Sequence, residues 1–330
     1  MSGLIEGLPD DVAIRCLARV PFFFHPNLKL VSRSWNTAIH SPELFKARQE
    51  VGSSEELLCV YGSYPHRLWQ MYDPLRDLWV TLPFIPSKME DLSDFGAVST
   101  AGKLFVIGGA RDRVTDEVWS YDPVVRQWAC RASMLVPRYD FACCVLNGKI
   151  VVAGGITSRG ESTYQAEMYD PEKDIWIAMP NLHPVYNSAC SGLMIGGKMD
   201  VLHNHMSTVQ VLDNAGTQWI VEECGWDQQP KAVVQGAVYV LSRLGIYRQK
   251  KDGKIVEAAV CKYGKRTRFA MIGLGEDLYV IGGLSRDDGP VRPLSDVNVF
   301  MLGNESPTWR QAAPMTRCRG PIHGCTLLRI

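Results

Sequence analysis

The sequence has no excess of charge of either sign. Its 35 Lys and Arg residues are balanced by 35 Asp and Glu residues, so the formal net charge is zero. A protein that is held to nucleic acid or to a membrane by bulk electrostatics carries a surplus of basic residues. We therefore expect neither nucleic acid nor a membrane among the partners of this chain.

Long apolar runs and Cys-x-x-Cys motifs are missing as well. No stretch reaches the ~18 uninterrupted apolar residues that a membrane helix needs. The acidic residues Glu6, Asp10 and Asp11 are unlike a secretory signal, so we expect none. The ten cysteines include no Cys-x-x-Cys motif, which favours free thiols and small core residues in a reducing compartment. The sequence predicts a protein of the cytoplasm, the nucleus or both.

An internal repeat occupies most of the chain. Three copies combine Tyr-Asp-Pro with a Trp five residues after the Pro. They begin at Tyr72, Tyr121 and Tyr169 and end at Trp79, Trp128 and Trp176. Three copies are weaker. One keeps Asp213 and Trp219, one keeps Tyr247 but has Lys254 at the position of the tryptophan, and the last ends at Trp309. Because the repeat period is about 45 residues, six units fill the chain from residue 55 onward.

A second landmark runs in phase with the first and consists of a tight turn, an apolar run and a glycine pair. In the second unit, Gly102-Lys103 precedes the run Leu104 to Ile107, which ends at Gly108-Gly109. Four short strands in about 45 residues are typical of a propeller blade. We expect the Tyr and Trp side chains to fill the faces between blades, and the glycine pairs to lie where blades converge.

These residues resemble the kelch repeat over residues 55–330. The resemblance implies an all-β domain, a six-bladed kelch β-propeller. The first unit starts at the run Leu57 to Tyr61 without an opening strand, whereas Gly324 to Ile330 follows the last unit. We expect this C-terminal segment to complete the first blade, because closing the ring removes two sheet edges.

The first 50 residues have a helical pattern. Asp10 to Arg19 follows Pro9, lacks Gly and Pro, and begins with acidic residues, as the start of a helix favours. A second apolar face recurs at helical spacing on Leu28, Val31, Trp35 and Ile39. We expect a break near Ser32 that divides it into two helices. A segment of this size is marginal as an independent fold, so its apolar face should need a partner.

The N-terminal segment resembles the F-box over residues 4–45. The matching residues are Leu8-Pro9-Asp10-Asp11-Val12, Cys16-Leu17, Val20-Pro21, Leu28, Val31-Ser32-Arg33-Ser34-Trp35 and Ile39. The resemblance implies a small all-α domain, residues 1–50, that docks on a Skp adaptor and through it on a cullin. The adaptor-binding residues implied by position are Leu8, Pro9, Val12, Leu17, Leu28, Val31 and Trp35. The alternative is that these side chains pack the segment's own core, although Leu8 and Pro9 have little to pack on locally.

An F-box directly before kelch repeats resembles a large class of plant F-box/kelch proteins. The resemblance implies a substrate-recognition subunit of an SCF-type ubiquitin ligase, in which the propeller captures a protein target for ubiquitination. Roughly Gln49 to Glu56 separate the two domains, which leaves no long flexible linker. A kelch interaction scaffold that does not direct degradation remains an alternative.

An enzymatic propeller is a second alternative, because propellers that resemble galactose oxidase hold copper through Tyr and His ligands. His203 and His205 are the only closely spaced histidines, and a metal site needs further ligands. The sequence has no Gly-x-Ser-x-Gly motif and no phosphate-binding loop. We therefore expect no catalytic residue, no metal and no cofactor.

Target binding is expected on one face of the propeller. Three polar segments follow glycine pairs and have the character of binding loops on a rigid scaffold: Ala110 to Asp116, Thr157 to Gln165 and Leu284 to Leu294. Eight residues before the tight turn of four units, at the mouth of the propeller axis, stand Asp94, Asp140, Ala189 and Arg268, of which three are charged. In related receptors this row often reads the target, so we predict these three residues as target-binding.

Overall fold

The computed structural model describes residues 3–84, 86, 91–184, 189–204, 206–226, 231–242, 245–260, 266–286, 290–303 and 308–330. A short helical segment precedes six small antiparallel sheets that are arranged as a six-bladed β-propeller. This confirms the fold class predicted from the repeat. None of the described helices is long and apolar enough to cross a bilayer.

The helical segment consists of short helices, and serine caps mark the start of two of them. They are α1 (Asp10–Ala18), a 3-10 turn (Phe22–Phe24), α2 (His25–Leu28), α3 (Arg33–Ile39) and α4 (Pro42–Glu50). The predicted break near Ser32 is confirmed, because the Ser32 hydroxyl accepts the Trp35 N–H at 3.1 Å and caps α3. The Ser41 hydroxyl caps α4 in the same way, at 3.3 Å from the Leu44 N–H. The core of the segment is formed by Leu17, Ala18, Ala38, Ile39, Leu44 and Ala47.

The strands follow one another blade by blade along the chain. Blade 1 contains β1 (Glu56–Pro65), β2 (Leu68–Asp73) and β3 (Leu78–Thr81). Blade 2 contains β4 (Gly96–Thr100), β5 (Lys103–Ile107), β6 (Val118–Asp122) and β7 (Gln127–Arg131). Blade 3 contains β8 (Ala142–Leu146), β9 (Lys149–Ala153), β10 (Ala166–Asp170) and β11 (Ile175–Met179).

Blades 4 and 5 keep four strands although their repeat residues are degenerate. Blade 4 contains β12 (Cys190–Ile195), β13 (Lys198–His203), β14 (Thr208–Leu212) and β15 (Trp219–Glu223). Blade 5 contains β16 (Lys231–Val234), β17 (Ala237–Leu241), β18 (Gly245–Gln249) and β19 (Ile255–Val260). Blade 6 contains β20 (Arg266–Thr267), β21 (Ala270–Leu274), β22 (Asp277–Ser285), β23 (Arg292–Met301) and β24 (Thr308–Ala312).

The last strand, β25 (Cys318–Arg329), is the innermost strand of blade 1 and pairs with β1 in antiparallel fashion. The register places Leu58 opposite Leu327. The strand begins earlier than the predicted closing segment, and Ile330 lies just beyond its end. The N–H and carbonyl of Ile330 still bond to the backbone of Glu55, at 3.0 and 2.9 Å. The two ends of the propeller therefore meet in one sheet.

The Tyr and Trp of each repeat pack on each other and link neighbouring blades. Tyr169 on β10 lies opposite Trp176 on β11, and their ring centroids are 5.1 Å apart. The Trp176 indole N–H donates to the carbonyl of Ala132, which follows the last strand of blade 2, at 2.8 Å. Trp79 and Trp219 make the same bond to the blade before them, to Ala313 at 2.7 Å and to Pro180 at 2.9 Å. The tryptophan thus adds a hydrogen bond between blades to its apolar contacts.

The glycine pairs lie where the chain has no room for a side chain. Gly108 and Gly109 have φ values of 56° and 100°. A Cβ on Gly108 would stand 2.8 Å from the Arg138 carbonyl of blade 3, and one on Gly109 would stand 2.8 Å from the Ser93 carbonyl. Both the backbone conformation and the close approach require glycine here.

The structure corrects one of the predicted loops. The segment Leu284 to Leu294 is largely a continuation of β22 and β23, with Leu284 opposite Pro293 and Ser285 opposite Arg292. Residues 287–289 lie outside the described ranges. The prediction was wrong because the polar composition of the segment hid a two-stranded hairpin that extends above the rest of blade 6.

Candidate functional site

The alternation of strand direction sorts the connections of every blade onto two faces. We call the face with the β4–β5 and β6–β7 turns, and their counterparts in other blades, the lower face, and the opposite one the upper face. Gly102 lies in the β4–β5 turn, where an added Cβ would stand 2.8 Å from the Phe45 ring of α4. The Lys29 ammonium donates to the carbonyl of Val124 in the β6–β7 turn. The helical segment is therefore seated on the lower face.

Arg48 on α4 joins the helical segment to the propeller from a buried position. Only 1% of the residue is exposed. Its Nε donates to the Ile330 carbonyl at 3.3 Å, and its Nη1 donates to the carbonyls of Ala18 and Val20 at 3.0 and 2.7 Å. One guanidinium thus holds the end of α1, α4 and the end of the closing strand at fixed positions, a task that suits its planar set of donors.

Glu55 completes this joint from the connection between the domains. Its carboxylate lies 3.3 Å from the Arg48 guanidinium and accepts the Phe22 N–H at 2.9 Å. The Nη2 of Arg48 also donates to the Ser53 carbonyl at 2.8 Å. Burial lowers the pKa of Arg48 and the charge of Glu55 opposes that effect. The connection is consequently fixed by side chains and does not behave as a free linker.

His25 lies under the same joint. Its Nε2 is 3.2 Å from the Val20 carbonyl oxygen and 3.4 Å from Nη1 of Arg48. Burial, reinforced by the neighbouring Arg48 cation, lowers the pKa of His25 to about 4. The imidazole is therefore neutral near pH 7.

The predicted adaptor-binding residues divide into two groups. Leu8, Pro9, Val12 and Val31 are exposed on the helical segment. Leu17, in contrast, is only 2% exposed and belongs to the core, with the half-buried Leu28 and Trp35 packed against it. For these three side chains the structure shows the packing role that the sequence had left as an alternative. Adaptor contact through any of the seven residues stays a prediction.

Three further exposed apolar side chains lie on this segment and escaped the sequence reasoning. They are Phe23, Phe24 and Leu30, of which Leu30 is 85% exposed. The 3-10 turn at Phe22–Phe24 is too short to show a helical spacing of apolar residues, so nothing in the sequence indicated that these side chains are exposed. An exposed leucine next to Val31 on so small a unit marks a surface that a partner would cover.

On the upper face, Asp94, Asp140 and Arg268 occupy equivalent positions in blades 2, 3 and 6. Each has a positive φ, of 55°, 50° and 52°, and each backbone takes part in a link between blades. The Asp140 N–H donates to the Asp94 carbonyl at 3.0 Å, and the Ile322 N–H donates to the Arg268 carbonyl at 2.9 Å. Asp94 and Arg268 are exposed and Asp140 is half-buried. The three positions therefore combine a structural backbone with side chains that are accessible around the axis.

The charges that act on His323 and Asp140 indicate that the charged side chains of this region lie near one another. Burial lowers the pKa of His323, with smaller effects from the charges of Arg67, Asp94 and Arg268. Burial also raises the pKa of Asp140, and the nearby Asp94 carboxylate adds to this shift. The mouth thus has carboxylates on blades 2 and 3 and guanidinium groups on blades 6 and 1. Target binding at this mouth stays a prediction.

Of the two histidines considered for the enzymatic alternative, the structure describes His203 alone. His203 is buried on β13 with its Nε2 3.1 Å from Nε2 of Gln210, and burial lowers its pKa. His205 lies outside the described residues. Within the described ranges, no cluster of three or more His, Cys, Asp or Glu side chains is arranged to hold a metal ion.

Comparisons with known proteins agree with both parts of this architecture. A model of the F-box domain matches residues 5–47, and a model of the Kelch motif matches residues 91–135 and 137–183. The chain is 51% identical over 345 residues to the F-box/kelch-repeat protein SKIP30 of Arabidopsis thaliana, which covers 100% of this chain and 98% of that protein. It is 33% identical to the F-box/kelch-repeat protein At1g16250 of the same plant, with 99% of this chain and 97% of that protein covered.

A solved structure supports the fold alone. The structure titled "Structure of YjhT" superposes with a TM-score of 0.59 at 14% sequence identity and covers 78% of this chain and 92% of that one. At this level of identity the similarity concerns the path of the backbone and carries no argument about ligands or partners.

Proposed function

Because the chain belongs to the F-box/kelch-repeat proteins, we propose that it is the substrate-recognition subunit of a Skp–cullin–F-box ubiquitin ligase. The helical segment docks on the Skp adaptor, which connects it to the cullin. The upper face of the propeller binds the protein target that is to be ubiquitinated. Proteins of this family are typically non-catalytic adaptors, and we assign no catalytic residue, metal or cofactor to the chain.

One observation carries this proposal: the two candidate binding surfaces are separated by the body of the propeller and joined rigidly. The helices use one side to pack on the lower face through Phe45, Lys29 and Arg48. Other apolar side chains of the segment, among them Leu8 and Val31, stay exposed. The mouth residues lie at the opposite face. A receptor of this shape holds an adaptor and a target at the same time, at a fixed separation.

The adaptor contact is tested by the exposed residues that precede α1. In the double variant Leu8→Ala, Pro9→Ala we expect co-purification with the Skp adaptor to be lost, because these side chains contribute little to the protein's own core. Leu135→Ala is the matched control, since this leucine is exposed on the propeller at 56%. Undiminished adaptor binding by the double variant would contradict the proposed docking surface.

The target contact is tested by a mouth variant that combines Asp94→Asn, Asp140→Asn and Arg268→Gln. Asparagine tolerates the positive φ of the two aspartate positions, and exposed polar changes cost little stability. Target proteins trapped by the wild-type chain under proteasome inhibition should be lost by this variant, while adaptor binding persists. Equal trapping by both forms would place the target elsewhere.

Target turnover separates a degradative receptor from a scaffold. Expression of the wild-type chain should shorten the half-life of a trapped target, whereas the Leu8→Ala, Pro9→Ala variant should bind that target without accelerating its loss. A target that is bound but has the same half-life in both cases favours the scaffold. We further propose that the protein acts in the cytoplasm, the nucleus or both, in keeping with its free thiols at Cys16 and Cys130 on the surface.

A further inference from the structure

Five arginines gather on the upper face where blade 6 meets blade 1. We call them the arginine ridge: Arg67, Arg268, Arg292, Arg317 and Arg319. All five are exposed. They come from four separate stretches of the chain, and the upper part of β25 brings them together.

Contacts along β25 define the ridge. The Ile322 N–H bonds to the Arg268 carbonyl at 2.9 Å. The backbone at Gly320 packs on Pro293, so that an added Cβ would stand 3.0 Å from the Pro293 side chain. Arg319 lies opposite Tyr64 in the sheet, with its guanidinium 4.9 Å from the ring centroid. Blade 6 and blade 1 thus present their arginines side by side.

Arg67 and Arg317 extend the ridge outward along blade 1. Both line a groove of about 850 Å³ whose apolar wall includes Trp69, Leu82 and Phe84. The ridge therefore runs from the mouth of the axis to this groove. A bound segment that follows it would find cationic groups along its path and an apolar wall beside them.

Of the five ridge arginines, one has a carboxylate partner among the described residues. Arg67 pairs with Asp91 at 3.0 Å. Among the residues that the structure describes, no carboxylate comes within 4 Å of the other four guanidinium groups. The net charge of the chain is zero, yet these positive charges are gathered on one side of the molecule. They repel one another, and this repulsion does not stabilise the fold. Such a group suits an anionic ligand, and planar guanidinium groups suit carboxylates in particular.

The opposite wall of the mouth carries the opposite charge. Asp94 and Asp140 are neighbours through their backbone hydrogen bond of 3.0 Å, and the two carboxylates repel each other. A cation between them would relieve this repulsion. A polyanion such as RNA would place negative charge against them, so an extended polypeptide with separated charges fits the mouth better.

We propose that the upper face binds a segment of its protein target whose acidic end lies along the arginine ridge and whose basic end lies over Asp94 and Asp140. This rests on the proposed function in one respect, that the ligand belongs to a target protein. The acidic end supplies carboxylates to guanidinium groups on blades 6 and 1. The basic end sets the direction in which the segment crosses the mouth.

The test selects peptides from a displayed random library on the full-length protein, followed by affinity measurements on the selected peptides. The selected sequences should be enriched in Asp and Glu at one end and in Lys and Arg at the other. The double variant Arg268→Gln, Arg319→Gln should weaken binding of a selected peptide by about tenfold or more. The double variant Asp94→Asn, Asp140→Asn should also weaken it, and mainly for peptides that keep the basic end.

The matched control is the double variant Arg76→Gln, Arg329→Gln, which removes the same charge from exposed positions at the lower face of blade 1. It should leave the affinity unchanged. Equal weakening by both arginine pairs would reduce the effect to bulk charge and overturn the proposal. Selected peptides without acidic residues, or tighter binding of a single-stranded RNA probe than of the peptides, would overturn it as well.

The peptide measurement needs neither adaptor nor ubiquitination. Failure of the peptide test with normal adaptor binding and target turnover would refute the ridge and leave the proposed function standing. Conversely, charge-dependent peptide binding without adaptor binding would support the ridge and refute the ligase role.

Discussion

Replacement of Arg48 is the sharpest test of the rigid joint between the two domains. Arg48→Met keeps most of the apolar length of the side chain and removes the guanidinium. The carbonyls of Ala18, Val20 and Ser53 then lose a donor, and Glu55 loses its cation. Removing one partner of a buried, hydrogen-bonded ion pair costs about 3–5 kcal/mol, because the other charge stays buried and unpaired.

The next glutamate along the chain, Glu56, forms an ion pair that provides a matched control. Arg329 pairs with Glu56 at 2.6 Å on the same face, but its side chain is 72% exposed. An exposed ion pair contributes below about 1 kcal/mol, so Arg329→Met should be nearly neutral. The two variants remove the same group from neighbouring ion pairs. They differ in burial and in the bonds to backbone carbonyls, which Arg48 makes in addition to its ion pair.

The assay is urea unfolding followed by two signals. Eight of the nine tryptophans lie in the propeller and one, Trp35, in the helical segment, so fluorescence reports mainly on the propeller. Circular dichroism in the helical band reports mainly on the N-terminal segment. In Arg48→Met the helical signal should be lost at a lower urea concentration than the fluorescence, and proteolysis near Ser53 should accelerate. If Arg48→Met and Arg329→Met lowered the free energy of unfolding equally, burial of the joint would not be its source of strength.

Two further predictions concern His25 and the tryptophans of the repeat. Because the pKa of His25 falls from 6.5 to about 4 on folding, the unfolded state binds the proton more strongly between these values, so stability should be full above pH 6.5 and should fall, by up to about 3 kcal/mol, as the pH drops from 6.5 to 4. His25→Gln should flatten the pH dependence of helical unfolding in this window, and an unchanged curve would contradict the assignment. Trp176→Phe should lower the free energy of unfolding by about 1 kcal/mol more than Trp226→Phe, because the Trp176 indole N–H bonds to the neighbouring blade, whereas the buried Trp226 indole N–H has no hydrogen-bond partner among the described residues. Equal losses in thermal or urea unfolding would assign the tryptophan only a packing role.

The propeller could be predicted from the sequence because most blades contain the same local pattern of residues. Tyr, Trp and the glycine pair recur at fixed offsets, and the blade count follows from their spacing. Even blade 5, where Lys254 replaces the tryptophan, keeps its four strands. The neighbouring sheets and the closed ring impose the strand positions there, so a weak local pattern is sufficient.

The features that sequence reasoning missed depend on contacts between distant segments. The arginine ridge combines residues more than 200 positions apart, and no local period could group Arg67 with Arg292. The burial of Leu17 depends on how α1 packs on α4, and α4 itself is announced only by Ser41 and Pro42. The hairpin that contains Leu284 was hidden because exposed strands above a blade have the polar composition of a loop.

The bond between Arg48 and the Ile330 carbonyl also orders events during synthesis of the protein. The helical segment leaves the ribosome before the propeller, yet the surface on which it packs includes the end of a strand that is translated some 280 residues later. Until β25 has paired with β1, the carbonyl that Arg48 needs is not in place. Chains that end before this strand would have the helices but not the complete lower-face surface on which they pack. Completion of the ring is therefore a condition for a correctly placed N-terminal segment, and a receptor with an unfinished propeller would lack the geometry that connects its two partners.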